Sequence, residues 1–278
     1  MRILIVSRAF LPSLVCLLLA ASVAMAGERD RFAGLSGNLD IAGGTAHIPV
    51  MKEAAKRIMT ANPNIRITVA GGGSGVGVQQ VGEGLVAIGN TGRALTPGET
   101  EKYGLVSFPF AIDGVAVAVS PDNPVAALTR AQVRDIFAGK VRNWKELGGA
   151  DAPIHLYTRD EASGTREVFW EKMLGKGEVA TAANVVASNG AMKTAVAKDK
   201  DAIGYVGIGF IDKTIKAPPL DGVAPTQENA ASGQYPITRK LYMNTKGKPQ
   251  GLTEAFIAYI LGPDGAVMSE AAGYIPIK

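Results

Sequence analysis

The chain reads as an α/β fold built around a largely parallel sheet. Three observations predict it. Short runs with strand periodicity alternate along the chain with runs of helical spacing. Four small-residue turns carrying a hydroxyl follow strands, namely Gly43-Gly44-Thr45, Gly71 to Gly75, Asn90-Thr91-Gly92-Arg93 and Ser163-Gly164-Thr165. Each turn leads into a segment with helix-start signals. In open α/β sheets ligands bind beyond the C-terminal strand ends, where such turns meet helix N-termini.

Taken in order, Leu39 to Thr45 reads as a strand, a glycine turn and a Thr cap. A helix over 46–60 follows, with Ile48, Met51, Ala55, Ile58 and Met59 on one face, stopped by Asn62-Pro63-Asn64. The alternating run Ile65 to Val69 is a strand. It enters Ala70-Gly71-Gly72-Gly73-Ser74-Gly75 and then a short helix from Val78. Residues 85–89 form a third strand. Thr96-Pro97-Gly98-Glu99 is a capping box with Pro at the first helical position. Strands are expected over 105–110 and 114–119, a short helix capped by Thr129 ending near Ala138-Gly139, and a strand over 154–159. A helix from Arg166 to Leu174, a helix over 191–197 and a strand over 202–208 continue the alternation. After a polar connection over 218–233 come a strand over 238–244 and a helix over 253–261 capped by Thr253.

The chain has 278 residues, 47% of them hydrophobic and 19% charged, an ordinary globular composition. Arg2 and Arg8, an apolar run from Ala9 to about Val23 and the Ala24-Met25-Ala26 triplet read as a signal peptide over residues 1–26, cleaved after Ala26. The only cysteine, Cys16, lies inside it, so the remainder has no disulfide or thiol chemistry. The net charge is +4, of which Arg2 and Arg8 supply two. The other basic residues are scattered and rarely interleaved with aromatics, which argues against a nucleic-acid surface.

The turns carry the chemistry. A helix N-terminus exposes backbone N–H groups and a positive dipole end, and glycine permits close approach of an anion. Arg159, with Ser163-Gly164-Thr165 a few residues on, adds a planar fork of donors suited to an oxyanion. Read singly, each turn is equally a connection, Ser163 a cap, and Arg159 or Arg93 a surface ion pair. His47 and His155 are the only histidines, and two histidines with no cysteine beyond residue 26 leave no metal-ligand spacing. Neither the phosphate-loop nor the dinucleotide-binding motif occurs, and Ser74 lies outside any nucleophile-elbow pattern. Trp144, Tyr205 and Phe210 read as packing residues.

Taken together the segments resemble the periplasmic phosphate-binding proteins of ABC importers, in their compact form. The resemblance rests on the four turns and on Asp113-Gly114-Val115-Ala116-Val117, Leu128-Thr129, Asp135 to Lys140, Asn143-Trp144, Arg159 with Ser163 to Arg166, Gly222 to Thr226, Tyr235-Pro236-Ile237 and Gly273 to Pro276. It implies a two-lobed periplasmic-binding-protein fold of the second type, with mixed, mostly parallel sheets joined by crossing hinge strands. Lobe one would comprise 27–113 plus 237–278, and lobe two 114–236. Phosphate would sit between them, held by Thr45, Ala46, Ser74, Gly75, Thr91, Arg93, Arg159, Ser163, Gly164 and Thr165, with Glu161 orienting Arg159. The implied protein is a monomer that delivers phosphate to a membrane permease and performs no catalysis, without metal or cofactor.

Departures from the family pattern are Gly44, where a serine is usual, and Gly92, where many members carry an acid that accepts the phosphate proton. Asp113 is the candidate substitute. The alternatives are another tetrahedral oxyanion (sulfate, molybdate or tungstate) in the same fold, or a secreted phosphate-ester hydrolase using His47 or His155.

Overall fold

In a computed structural model that describes residues 30–277, helices and one curled mixed sheet alternate along the chain. The signal peptide expected over 1–26, its cleavage site and Cys16 lie outside the described residues. Among those residues no helix is long and apolar enough to cross a membrane.

β1 (Gly37–Gly43) lies between β2 (Ile65–Gly72) and β3 (Ile88–Thr91), parallel to both. α1 (Ile48–Ala61) and α2 (Ser74–Gly82) make the connections. β2 alternates buried and exposed residues at its start, as a strand with one solvated face must. α1 buries Val50, Met51, Ala54, Ala55 and Ile58 along one face. It is preceded by a 3-10 turn, Thr45–His47, and Thr45 caps nothing: its hydroxyl instead accepts from Asn189. α3 (Pro97–Tyr103) has the expected capping box, with Thr96 and Glu99 bonded reciprocally.

Where two strands were expected over 105–110 and 114–119 there is one, β4 (Leu105–Val119). Pro109 is accommodated at a register shift, so the ladder continues past it. β4 changes partner along its length. Residues 105–114 pair antiparallel with β8 (Thr238–Lys246), and Val115 to Val119 pair antiparallel with β7 (Ala202–Gly207). β7 is buried throughout, and beyond it follow β5 (His155–Arg159) and β6 (Asn184–Val186), both parallel. The order is β2-β1-β3-β8-β4-β7-β5-β6, with β9 (Ile275–Pro276) on β4.

α4 (Arg130–Phe137) starts at the expected Thr129 cap. The helix expected from Arg166 begins two residues earlier, as α5 (Gly164–Val168) capped by Ser163, and continues as a π turn over 169–173. α6 (Asn189–Lys198) is capped by Ser188. The polar stretch expected to be only a connection contains α7 (Gln227–Ala231). α8 (Gly251–Leu261) starts before Thr253 with no side-chain cap, and α9 (Pro263–Ala271) follows.

Two large apolar clusters flank the point where β4 changes partner. One draws on residues 32–111 and 241–274, among them Ile41, Met51, Phe110 and Phe256. The other draws on residues 115–237, among them Phe137, Trp144, Phe169 and Tyr205. Trp144 and Tyr205 are buried as expected of packing residues, and Phe210 is half-buried.

Candidate functional site

The ends of β1, β2, β3 and β5 converge on a small cavity between the two clusters. Gly44, Thr45, Ala46 and His47 reach it from the turn after β1, Gly73 and Ser74 from the turn after β2, and Gly92 from the end of β3. Arg159 ends β5, Ser163, Gly164 and Thr165 open α5, and Arg239 projects from β8. Backbone bonds stitch the turns together: Gly44 N–H to Asn90 O at 2.8 Å, Gly73 N–H to Gly43 O at 3.0 Å, and Gly75 N–H to Ala162 O at 3.0 Å. Gly73 has φ of 93°, and a Cβ there would lie 2.5 Å from Ala162 O, so only glycine lets these two loops meet.

Four buried hydroxyls face one another across the cavity, and each oxygen already accepts a hydrogen bond. Ser74 Oγ accepts from Gly92 N at 2.9 Å, and Ser163 Oγ from Arg166 N at 3.2 Å. Thr45 Oγ1 accepts from Asn189 Nδ2 at 3.1 Å, and Thr165 Oγ1 from Arg239 Nη1 at 2.9 Å. The first residues of α2 and α5 add N–H groups that have no partner inside their helices.

Arg159 is 2% exposed. Its Nη2 donates to Ala187 O at 3.0 Å, while its Nε and Nη1 have no protein acceptor. Burial lowers its pKa from the ordinary value, the mark of a cation held away from water. A buried guanidinium short of acceptors is costly unless an anion satisfies it.

Arg239 was not singled out by sequence reasoning. Its Nε and Nη2 grip Asp113 Oδ2 at 3.0 and 2.7 Å, so Asp113 supports this arginine from outside the cavity and is not the cavity's acceptor. Burial raises the Asp113 pKa and Arg239 opposes that shift. A Cβ on Gly92 would lie 2.8 Å from Arg239 Nη1, so the guanidinium fills the space that a side chain at 92 would need. The signal was present in the alternation of β8: Arg239 shares its buried face with Leu241 and Met243.

Three expected ligands are directed elsewhere. Arg93 forks onto Glu99 at 2.8 and 2.7 Å, and its Nε lies 2.6 Å from the Glu167 carboxylate. Two acids satisfy it, and it links the end of β3 to α5 rather than lining the cavity. The Thr91 hydroxyl donates to Arg93 O at 2.8 Å and accepts from Asn244 Nδ2 at 3.1 Å. Gly75 spends its N–H on Ala162 O. Glu161 is exposed and forms no ion pair with Arg159, whose orientation comes from Ala187 O.

His47 lines the cavity with Nδ1 3.1 Å from Gly44 O, and burial with the nearby Arg239 charge lowers its pKa to about 3, so it is neutral. His155 is half-exposed, pairs with Asp199 at 2.9 Å and stands apart from the cavity. It groups with Asp199 and Asp201, but its Nδ1 is spent on Asp199.

The family model described as a PBP superfamily domain matches residues 33–264. The phosphate-binding protein PstS of Bacillus subtilis is 38% identical over 246 residues, 87% of this chain and 81% of that protein. A Clostridium perfringens chain crystallised with bound phosphate superposes with a TM-score of 0.82 at 32% identity, covering 87% of this chain and 100% of that one. An ABC-type phosphate transport receptor from Vibrio cholerae gives a TM-score of 0.69 at 34% identity, over 85% of this chain and 99% of that one.

Proposed function

The chain belongs to the PBP superfamily, and from that premise we propose that it captures inorganic phosphate and delivers it to the permease of an ABC importer. The observation that carries this reading is Arg159, a buried guanidinium with two donors free, aimed among four hydroxyls whose oxygens are already bonded. Such hydroxyls have their protons left to give. Convergent donors around a cation suit a tetrahedral oxyanion, and the relatives named above supply the choice of phosphate.

The lobes are 27–113 with 237–278, and 114–236. The change of partner in β4 between Gly114 and Val115 supports that division, as do the two apolar clusters. Phosphate then bridges them, with Thr45 and Ser74 on one side and Arg159, Ser163, Gly164 and Thr165 on the other. Hinge closure around a ligand follows from that arrangement. The ligand leaves unchanged. Ser74, the hydroxyl with glycines on both sides, has its oxygen on Gly92 N rather than on a base. The leader read in residues 1–26 supports export of the protein across the cytoplasmic membrane, and the reading takes it to act there as a monomer. Titration calorimetry of anion-stripped protein is expected to give one phosphate per chain. Absence of phosphate binding would overturn the reading.

A further inference from the structure

We propose that Tyr274 is a positioning residue for phosphate: its hydroxyl holds the Ala46 carbonyl and so keeps the Ala46 N–H aimed at the anion. The inference rests on the phosphate reading above and adds a residue that does not itself line the cavity.

The turn Thr45–His47 has two gaps in its own bonding. His47 N–H donates to Gly44 O at 3.2 Å, the first bond of the turn. The Ala46 N–H, one residue earlier, is left over at the start of the turn, and Ala46 lines the cavity. At the other end Ala46 O falls at a seam. The 3-10 bond it would accept comes from residue 49, and Pro49 has no N–H. The ladder of α1 begins one residue later, because His47 is its N-cap and its carbonyl accepts the first bond. Ala46 is 2% exposed, and a buried carbonyl without a donor is costly. Tyr274 supplies the donor, with its hydroxyl 2.6 Å from Ala46 O.

Tyr274 is in turn fixed by its surroundings. α9 ends in Gly273, whose φ of 80° turns the chain so that Tyr274 N–H donates to Ser269 O at 2.9 Å. Immediately after it β9 pairs with Ala111 and Ile112 of β4. Its carbonyl accepts from Gln227 Nε2 of α7 at 3.2 Å. Its ring lies over Gly209, where a Cβ would come within 2.7 Å of Tyr274 Cε1. Burial, reinforced by the nearby Asp113 charge, raises the phenol pKa well above its ordinary value, so the proton stays available for donation. The ring alone would fill this space. What the hydroxyl adds is the bond to Ala46.

The peptide between Ala46 and His47 is thus pinned twice, its carbonyl by Tyr274 and its N–H by Gly44 O. The adjoining peptide, which carries the Ala46 N–H, then turns only through the dihedrals of Ala46. Gly43 and Gly44 precede it and lend the turn little stiffness of their own, so an outside anchor matters.

Tyr274→Phe keeps the ring and its packing and removes the one bond. Calorimetry with inorganic phosphate on anion-stripped protein is expected to give a Kd about tenfold weaker, the order of one hydrogen bond to a charged partner. Tyr235→Phe is the matched control. Tyr235 is 1% exposed, its hydroxyl donates to Val115 O at 2.9 Å, and neither residue lines the cavity. Both variants are expected to melt below the parent, and only Tyr274→Phe to lose affinity. Adding Pro49→Ala to Tyr274→Phe returns a backbone N–H three residues after Ala46 and is expected to recover affinity. A Kd for Tyr274→Phe within about threefold of the parent overturns the proposal and leaves phosphate capture standing. So does an equal loss in Tyr235→Phe, or no recovery with Pro49→Ala. Absence of phosphate binding by the parent overturns both.

Discussion

Replacing Arg159 by alanine separates ligand binding from folding more cleanly than any other change in this molecule. Its Nε and Nη1 are buried without a protein acceptor, and only Nη2 is bonded, to Ala187 O at 3.0 Å. Hydrogen bonds to a charged partner contribute about 1.5–3 kcal/mol each. Two of them lost from the anion amount to about 3–6 kcal/mol, or roughly a hundred- to ten-thousandfold in Kd. The stability side runs the other way. The bond to Ala187 O is worth about 1 kcal/mol, and removing an undersatisfied buried cation relieves a desolvation cost of at least that size. Anion-free Arg159→Ala protein is therefore expected to melt at or above the temperature of the parent. Its melting point should fail to rise with phosphate at concentrations that stabilise the parent by mass action. Calorimetry gives the affinity and a thermal melt gives the fold. A folded variant whose Kd stays within about threefold of the parent would refute the assignment of these two donors to the ligand.

The second cation should behave differently: Arg239→Gln leaves Asp113 buried and unpaired, and is expected to cost about 3–5 kcal/mol of stability by urea unfolding, with much of it recovered in the double variant with Asp113→Asn. Recovery to no degree would show that the pair is not what the single change breaks. Glu167→Gln removes one acid from Arg93 at a site 38% exposed, so about 1 kcal/mol or less is at stake. Stopped-flow release of phosphate is expected to speed up by no more than about fivefold, and a change of several decades would mean that Arg93 touches the ligand after all. His47 titrates at about 3 in the folded protein against an ordinary value of 6.5. Between those values the unfolded chain binds the extra proton, so stability falls with falling pH, by about 1.4 kcal/mol per unit. His47→Gln should lack that component, and identical slopes for the two proteins would show that His47 is not buried neutral.

The alternation of strands and helices was legible because β2, α1 and the fully buried β7 follow their periodicities closely. The single strand β4 was not, because the strands expected over 105–110 and 114–119 leave Ala111-Ile112-Asp113 between them as a break. Only the long-range ladder, with β8 on one stretch and β7 on the next, carries the strand through it. Start signals also misled where tertiary demand won. Thr45 and Thr253 look like caps, yet Thr45 is wanted by Asn189, and α8 starts earlier without a side-chain cap. Within the site, Thr45, Ser74, Arg159, Ser163 and Thr165 could be read because glycine and hydroxyl residues mark their turns. Asn189 and Arg239 could not. They come from α6 and β8, remote in sequence, and act through side chains that no local motif requires.

Arg93, Arg159 and Arg239 are chemically identical, and their surroundings divide the work among them. Arg93 has two carboxylates, Glu99 and Glu167, so its charge is spent before any ligand arrives. Arg239 has one carboxylate, Asp113, and passes a hydrogen bond on to Thr165, so it shapes the donor that the ligand meets. Arg159 has a single carbonyl. Uncompensated charge near the anion therefore rises from Arg93 through Arg239 to Arg159. Removing charge from each in turn should weaken phosphate binding in the same order, least at Arg93, whatever the effects on stability. A loss at Arg93 as large as that at Arg159 would mean that the Glu99 and Glu167 pairs break when phosphate binds, and that the guanidinium swings into the cavity.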